Sequence, residues 1–316
     1  MEIDRLNNVV ASFGPRTGGE LLFVAYPALH HGNEMAEPLR ARRVETERGE
    51  LWVGLGASQS KGGLAAMCAA AAALDDRSRL MLAICSEGSS THESSRVLYE
   101  TLGDPKPAGA VLTVGTRNAV SIGNRGRVDV HVEIHGEPTH SSVALELGRN
   151  PIPVVAEVLQ LIASLELDPA EHPALGRRSI LPYKLTAGPI APHTTPAWCR
   201  IVFDRRLLPG DDPADAVGEV AAALDGLDVS VTQGATMLPA LVDDDATVVR
   251  ALLAAGAHGT FVPRSTFDAG YPCSIGIPTV MCGPLSGELD TTGVLGDDVV
   301  SRDQLVEAAE IYAAST

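Results

Sequence analysis

The texture of this chain changes at about residue 118 and changes back after 232, and that interruption constrains the fold more than any other feature. Before it, short apolar runs alternate with helical patterns. GELLFVAY ends at Tyr26, ELWVGLGAS follows, and GGLAAMCAAAAALD reads as a buried Ala-rich helix begun after a Gly pair. RLMLAICSE is a strand, SSRVLYETLG a helix closed by Gly, and AGAVLTVG a strand again. Strands alternating with helices predict an α/β unit, a mainly parallel sheet flanked by helices. Inside the interruption, GRVDVHVEIHG alternates strictly, as a half-exposed antiparallel strand does. A helix with a 3.6-residue stripe (NPIPVVAEVLQLIASLEL) follows, then the strands YKLTAGPI and AWCRIVFDRRLL, the helix DPADAVGEVAAALDGL and the strand LDVSVTQ. Strand-helix-strand-strand-helix-strand is the ferredoxin-like plan, a four-stranded sheet with two helices on one face. From 235 the first texture returns with the helix VVRALLAAGA, the strand and turn SIGIPTVMCGP and the closing helix SRDQLVEAAEIYAA. The reading is an α/β unit of residues 1–117 and 234–316, with an inserted ferredoxin-like α+β domain at 118–233.

A length of 316 residues suits two domains. With 45% apolar but only 4% aromatic residues, the cores must be built from Ala, Val, Leu and Ile. The net charge of −16 is spread along the chain without a basic tract, which argues against nucleic acid and anionic membranes as partners. The start, MEIDRLNNVV, has no secretory pattern, and the Ala-rich run Leu64–Leu74 is too short to span a bilayer. A cytoplasmic location is expected. Five Cys with no zinc-type spacing read as free thiols.

Several segments line up in order: LLFVAYPAL, GLGASQSKGG, LMLAICSEG, GRVDVHVEIHGEPTHSSVALELGRNPI, LTAGPIAPHTTPAWCRIVFDRRLLPGDDPADAV and STFDAGYPCSIGIPTVMCGP. Together they resemble the zinc-dependent aminoacylase and exopeptidase family that includes acetylornithine deacetylase, succinyl-diaminopimelate desuccinylase and bacterial glutamate carboxypeptidase. The most specific parts are the motif around His140 and the FDRRLLPG strand. The resemblance implies that the inserted domain is a lid and dimerisation module, and that the protein forms a homodimer. Relatives carry further helices and a strand before NNVVASFG, so a smaller α/β domain with an exposed apolar face is expected.

In that family two zinc ions share a water molecule, lower its pKa and polarise the scissile carbonyl. Followed through this chain, the ligand positions implied by the resemblance do not hold ligands. The strand that should end in His-x-Asp ends in Tyr26-Pro27-Ala28. Gln59 stands where the bridging Asp belongs. The acidic triplet is Ser86-Glu87-Gly88, which keeps the proton-transfer Glu and loses the neighbouring ligand. The later ligands fall near Gly115 and Gly293. No metal at the family site and no other cofactor is expected. A relocated metal at His30, His31, Glu34 and His92 is the rival arrangement, although an HHGNE loop can equally be a polar surface loop.

Other functional positions of the family are present. Glu87 becomes the candidate acid-base, and an apolar setting there would suit it to proton transfer. His140 is the candidate oxyanion stabiliser. Arg206 is the candidate grip on a substrate carboxylate, with Arg205 as a register competitor and a strand-face salt bridge as the plainer alternative. His193 stands where relatives have Asn. Thr266, Asp268 and Gly283 match loops that line the substrate pocket, while Asp268 could equally serve a turn. The expected function is metal-independent acid-base chemistry on an acylated amino acid or small carboxylate: hydrolysis of an activated acyl group, cyclisation or acyl transfer. The alternatives are a non-catalytic dimeric binder and a metal-dependent amide hydrolase with a relocated ion.

Overall fold

The structure is a computed structural model that describes residues 1–27, 35, 37–46, 49–87, 93–189, 191–285 and 298–316. The chain divides into two compact units, residues 1–124 with 240–316, and residues 125–239. In the first unit run β1 (Glu2–Ile3), β2 (Val9–Ser12), β3 (Leu21–Ala25), β4 (Arg42–Thr46), β5 (Gly49–Val53), α1 (Gly62–Ala73), β6 (Leu80–Ile84), α2 (Glu93–Leu102), β7 (Gly109–Leu112), β8 (Val120–Ser121) and β9 (Gly123–Asn124). The second unit contributes β10 (Gly126–His135), α3 (Ile152–Ala163), β11 (Ser179–Gly188), β12 (Trp198–Leu207), α4 (Pro213–Ala223) and β13 (Val229–Met237). The chain returns to the first unit with β14 (Ala240–Leu241), α5 (Thr247–Ala254), β15 (Thr260–Phe261), α6 (Gly270–Ser274), β16 (Thr279–Met281), β17 (Val299–Ser301) and α7 (Arg302–Ala314).

The main sheet of the first unit is mixed, in the order β1-β2-β6-β3-β7-β16-β8-β15. Its centre is parallel: β3 runs with β6 and β7, and β7 with β16. Every residue of β3 is buried, as a strand covered on both faces requires. One face packs Phe23, Val111 and Val280 against Ala66, Met67 and Ala70 of α1 and Tyr312 of α7. The other packs Leu22, Val24 and Met81 against Leu98 and Tyr99 of α2.

Three features differ from the sequence reading. Residues 118–124 stay with the first unit, because Val120 and Ser121 pair with β15 and Ser121 with β16. ELWVGLGAS does not continue the main sheet. Only Gly49–Val53 is a strand, in a separate sheet with β4 and β17, and the chain then makes a π-helical turn over Ala57–Lys61. Asp298 stabilises that turn by accepting the Gly56 and Ser58 amides at 2.6 and 2.7 Å and the Ser58 hydroxyl at 2.5 Å. Finally, β1 and β2 add an antiparallel edge. Their burial pattern, with Val10 alone buried, gives no periodic signal to read.

The second unit has the sheet order β11-β12-β10-β13, with every neighbouring pair antiparallel. With α3 between β10 and β11 and α4 between β12 and β13, this is the ferredoxin-like plan. Val128, Val130, Val132 and Ile134 of β10 meet Val155, Val158 and Ile162 of α3 and Ala216 and Val220 of α4. The strict alternation of β10 therefore carries a true two-faced strand. No helix among the described residues is long and apolar enough to cross a membrane.

Candidate functional site

In an open parallel sheet, ligands gather at the carboxyl ends of the strands. The parallel centre of the main sheet brings four of the expected positions to that edge: Glu87 beyond β6, Tyr26 beyond β3, Gly115 beyond β7 and Gly283 beyond β16. Backbone bonds continue past the strand ends and keep them level, from Cys85 N–H to Ala25 O and from Thr113 N–H to Val24 O, both 2.9 Å.

The residues at the ligand positions do not fit a dinuclear metal. Tyr26 is buried in the core shared by Cys85, Tyr99 and Ala269. Burial first, then the nearby Asp268 carboxylate, pushes its phenol well above the ordinary tyrosine range. Gly115 has no room for a side chain. A Cβ there would lie 2.5 Å from Ser58 O, 3.0 Å from Leu285 Cβ and 3.1 Å from Pro284 O. Gln59 sits half-buried on the π-helical turn fixed by Asp298. No group of three or more His, Cys, Asp or Glu among the described residues is placed to hold a metal ion. Ala28, Gly88, Gly293 and the rival set His30, His31, Glu34 and His92 lie outside the described residues.

Glu87 is exposed, not set in apolar surroundings. The chain leaves the sheet after Ile84. The backbone just before Glu87 is held by a residue the sequence reading missed. Asn8 is fully buried. Its Oδ1 accepts the Ser86 amide at 2.9 Å and the Ser94 hydroxyl at 2.6 Å, while its Nδ2 donates to Ser94 O at 2.9 Å and to Asp4 Oδ2 at 2.7 Å. Ser86 Oγ also donates to Leu6 O at 2.5 Å. A buried Asn in a polar N-terminal stretch has no pattern that would reveal this.

The expected pocket residues of this unit differ among themselves. Thr266 is half-buried. Asp268 is buried at 2% exposure and faces Tyr26, so it is neither a surface turn residue nor an open pocket wall. Gly283 is buried too: its carbonyl accepts the Thr116 and Asn118 amides at 2.9 and 3.0 Å, and a Cβ would meet Val114 O at 2.6 Å. It laces two strand ends together, because only glycine permits that approach.

The second unit holds the remaining candidates. Two loops are sewn together by Ser141 N–H to His193 O at 2.7 Å, Thr195 N–H to Thr139 O at 2.9 Å and Thr139 N–H to Thr195 Oγ1 at 3.0 Å. The lacing sets His140 and His193 side by side, with ring centroids 6.0 Å apart, both exposed. His193 is held in the left-handed region at φ 56°, a conformation tolerated by few residues other than glycine. Arg205 and Arg206 separate by strand alternation. Arg205 turns to the helix side, 1% exposed, and pairs with Glu219 at 2.8 Å. Arg206 lies on the open face, where its fork is held by Asp204 at 2.7 and 2.9 Å. The strand-face salt bridge is thus what the geometry displays. Arg127 and Asp129 lie opposite Arg206 and Asp204 on β10 and form a second pair at 3.2 Å.

The fold is an α/β unit carrying an inserted ferredoxin-like domain. Residues 122–231 match the family described as "Peptidase dimerisation domain". A succinyl-diaminopimelate desuccinylase of Sulfurovum is 27% identical over 206 residues, a match spanning 62% of this chain and 56% of that protein's length. Among solved structures, an M20 family metallo-carboxypeptidase from Sulfolobus solfataricus superposes with a TM-score of 0.75 at 16% identity, covering 98% of this chain and 86% of that one. Human carnosine dipeptidase 1 gives 0.69 at 15% identity, covering 98% and 87%. A dinuclear metal-binding M20 peptidase of Bacillus subtilis gives 0.61 at 12% identity, covering 100% and 86%. Over residues 122–231 the chain matches that dimerisation-domain family, and in its fold it is similar to M20 peptidases.

Proposed function

We propose that the protein is a peptidase- or amidohydrolase-like enzyme that works without the dinuclear metal of its relatives, with Glu87 moving the proton and an acylated amino acid or another small carboxylate as substrate. One contrast supports the reading. At the carboxyl edge of one sheet, Tyr26 and Gly115 are sealed into packing, whereas Glu87 stands exposed one strand away from Tyr26. A water without a metal keeps its high pKa, so the chemistry must be easier than plain amide hydrolysis: an activated acyl group, a cyclisation or an acyl transfer. His140 stabilises the developing oxyanion. His193 and Thr266 contact the substrate, and Arg206 shares its guanidinium between Asp204 and the substrate carboxylate. Gly283 and Asp268 shape the edge from behind. A second copy of the chain pairs along β11, the sheet edge that exposes Leu181, Tyr183 and Leu185.

The test is turnover of N-acyl amino acids and activated esters by protein stripped with chelator. Glu87→Gln should lower kcat by about 10²–10⁴-fold with KM little changed. Turnover that vanishes on chelation and returns with zinc would refute the metal-free chemistry. The exposure of Glu87 and the engagement of Arg206 by Asp204 favour a second reading, a non-catalytic dimeric binder. It predicts binding of the same ligands, no turnover, and indifference to Glu87→Gln.

A further inference from the structure

We propose that His140 and His193 form a two-imidazole site on the inserted domain for a late first-row divalent transition-metal ion such as Zn²⁺ or Cu²⁺. The proposal stands whether or not Glu87 is catalytic.

The geometry comes first. A metal–imidazole bond is about 2.0–2.1 Å, which puts an ion roughly 3.2 Å from each ring centroid and allows centroids up to roughly 6.4 Å apart. The observed 6.0 Å falls inside that limit. The rings are tilted by 34°, so modest rotation about each side chain aims one nitrogen of each at a common point. The backbone under them is fixed by the Ser141–His193 and Thr139–Thr195 hydrogen bonds and by the His140–Thr194 bridge, so little ordering remains to be done on binding. His140 Nδ1 lies 2.9 Å from Ser142 Oγ. The Ser142 amide donates to the same Nδ1 at 3.3 Å, so metal binding at Nε2 moves the ring proton to Nδ1, where the Ser142 hydroxyl accepts it in place of that amide bond.

The chemistry favours a cation over an anion. Imidazole nitrogens are good ligands for borderline divalent ions. The chain's net charge of −16 also attracts cations and repels anions. Two protein ligands leave coordination positions open for solvent or for a carboxylate of a bound molecule.

The experiment uses the full-length protein at pH 7.5. Zinc is titrated calorimetrically into wild type, His140→Asn, His193→Asn and the double variant, with His172→Asn as a control. Copper-loaded samples are read by electron paramagnetic resonance. We expect one ion per chain at this site, affinity at least tenfold weaker in each single variant, and an unchanged control. The copper spectrum should carry coupling to two imidazole nitrogens in wild type and to one in each single variant. Both single variants binding within twofold of wild type, or a wild-type spectrum with one coupled nitrogen, would overturn the proposal. So would full-affinity binding in the double variant. Both rings are exposed, and unchanged circular dichroism confirms that the variants fold.

Discussion

Replacing Gly115 by alanine asks whether a ligand position of the relatives has been closed by packing. The added Cβ would lie 2.5 Å from Ser58 O and 3.0 Å from Leu285 Cβ. The first contact is to backbone, and that backbone belongs to the turn whose amides are held by Asp298. If the turn stays, the overpacking costs about 1–3 kcal/mol. If it moves, hydrogen bonds to a buried carboxylate are lost at a similar cost of about 1–3 kcal/mol. Either route gives about 2 kcal/mol, and at roughly 2–4 °C per kcal/mol for a unit of this size the Tm falls by about 4–8 °C. Gly115→Glu should fall further, since the carboxylate has nowhere to go. Gly218, on the exposed face of α4 with nothing within 4 Å of a Cβ, is the control. Gly218→Ala should gain about 0.5–1 kcal/mol. Calorimetric melting of the three variants decides. A Gly115→Ala protein that melts within 1 °C of wild type would refute the packing argument, as would a Gly115→Glu protein that folds normally and gains a zinc ion.

Other expectations follow from the same contacts. Asn8→Ala leaves the Ser86 amide and Ser94 hydroxyl without their partner, so it should cost about 2–4 kcal/mol and speed hydrogen exchange at Ser86; unchanged exchange there would remove Asn8 from the support of Glu87. Burial alone would push the Asp211 carboxyl up, but the Arg178 fork and the Leu208 amide outweigh it and hold it below the ordinary range. A depressed folded value stabilises above the unfolded value near ~3.9 and is lost as pH falls through the folded one. The melting gap between wild type and Asp211→Asn should therefore be full at pH 7 and shrink below about pH 4, and a gap constant down to pH 3 would contradict this. Of the five free cysteines, only Cys68 is exposed. Burial pushes the Cys282 thiol up to about 12 and Cys85 higher still. Ellman's reagent at pH 8 should modify Cys68 first and leave Cys85 and Cys282 untouched until unfolding.

Much of the fold was legible because its signals are periodic. The alternation of β10 and the stripe of α3 follow from which faces meet the core, and the all-buried β3 reads as a continuous apolar run. β1, β2 and the short strands β8, β9, β14 and β15 carry too few residues to show a period. The turn after Val53 was misread because an apolar-looking stretch is held by Asp298, far away in sequence. The site divided in the same way. The sequence names the residues at the ligand positions, yet does not report what fills the space around Tyr26 and Gly115. That Tyr26 meets Asp268, that Gly115 meets Ser58 and that Asp204 occupies Arg206 are long-range or strand-face facts. Asn8 was invisible for the same reason, and so was the pairing of His140 with His193 across two loops.

The central proposal is that the first unit works without the dinuclear metal of its relatives, with packing filling the positions at Tyr26 and Gly115. The most direct measurement is zinc content at equilibrium dialysis of the His140→Asn, His193→Asn double variant, which removes the two-imidazole site of the inserted domain. The account predicts no stoichiometric zinc in that protein. Two zinc ions per chain would mean that a dinuclear centre persists and would contradict it.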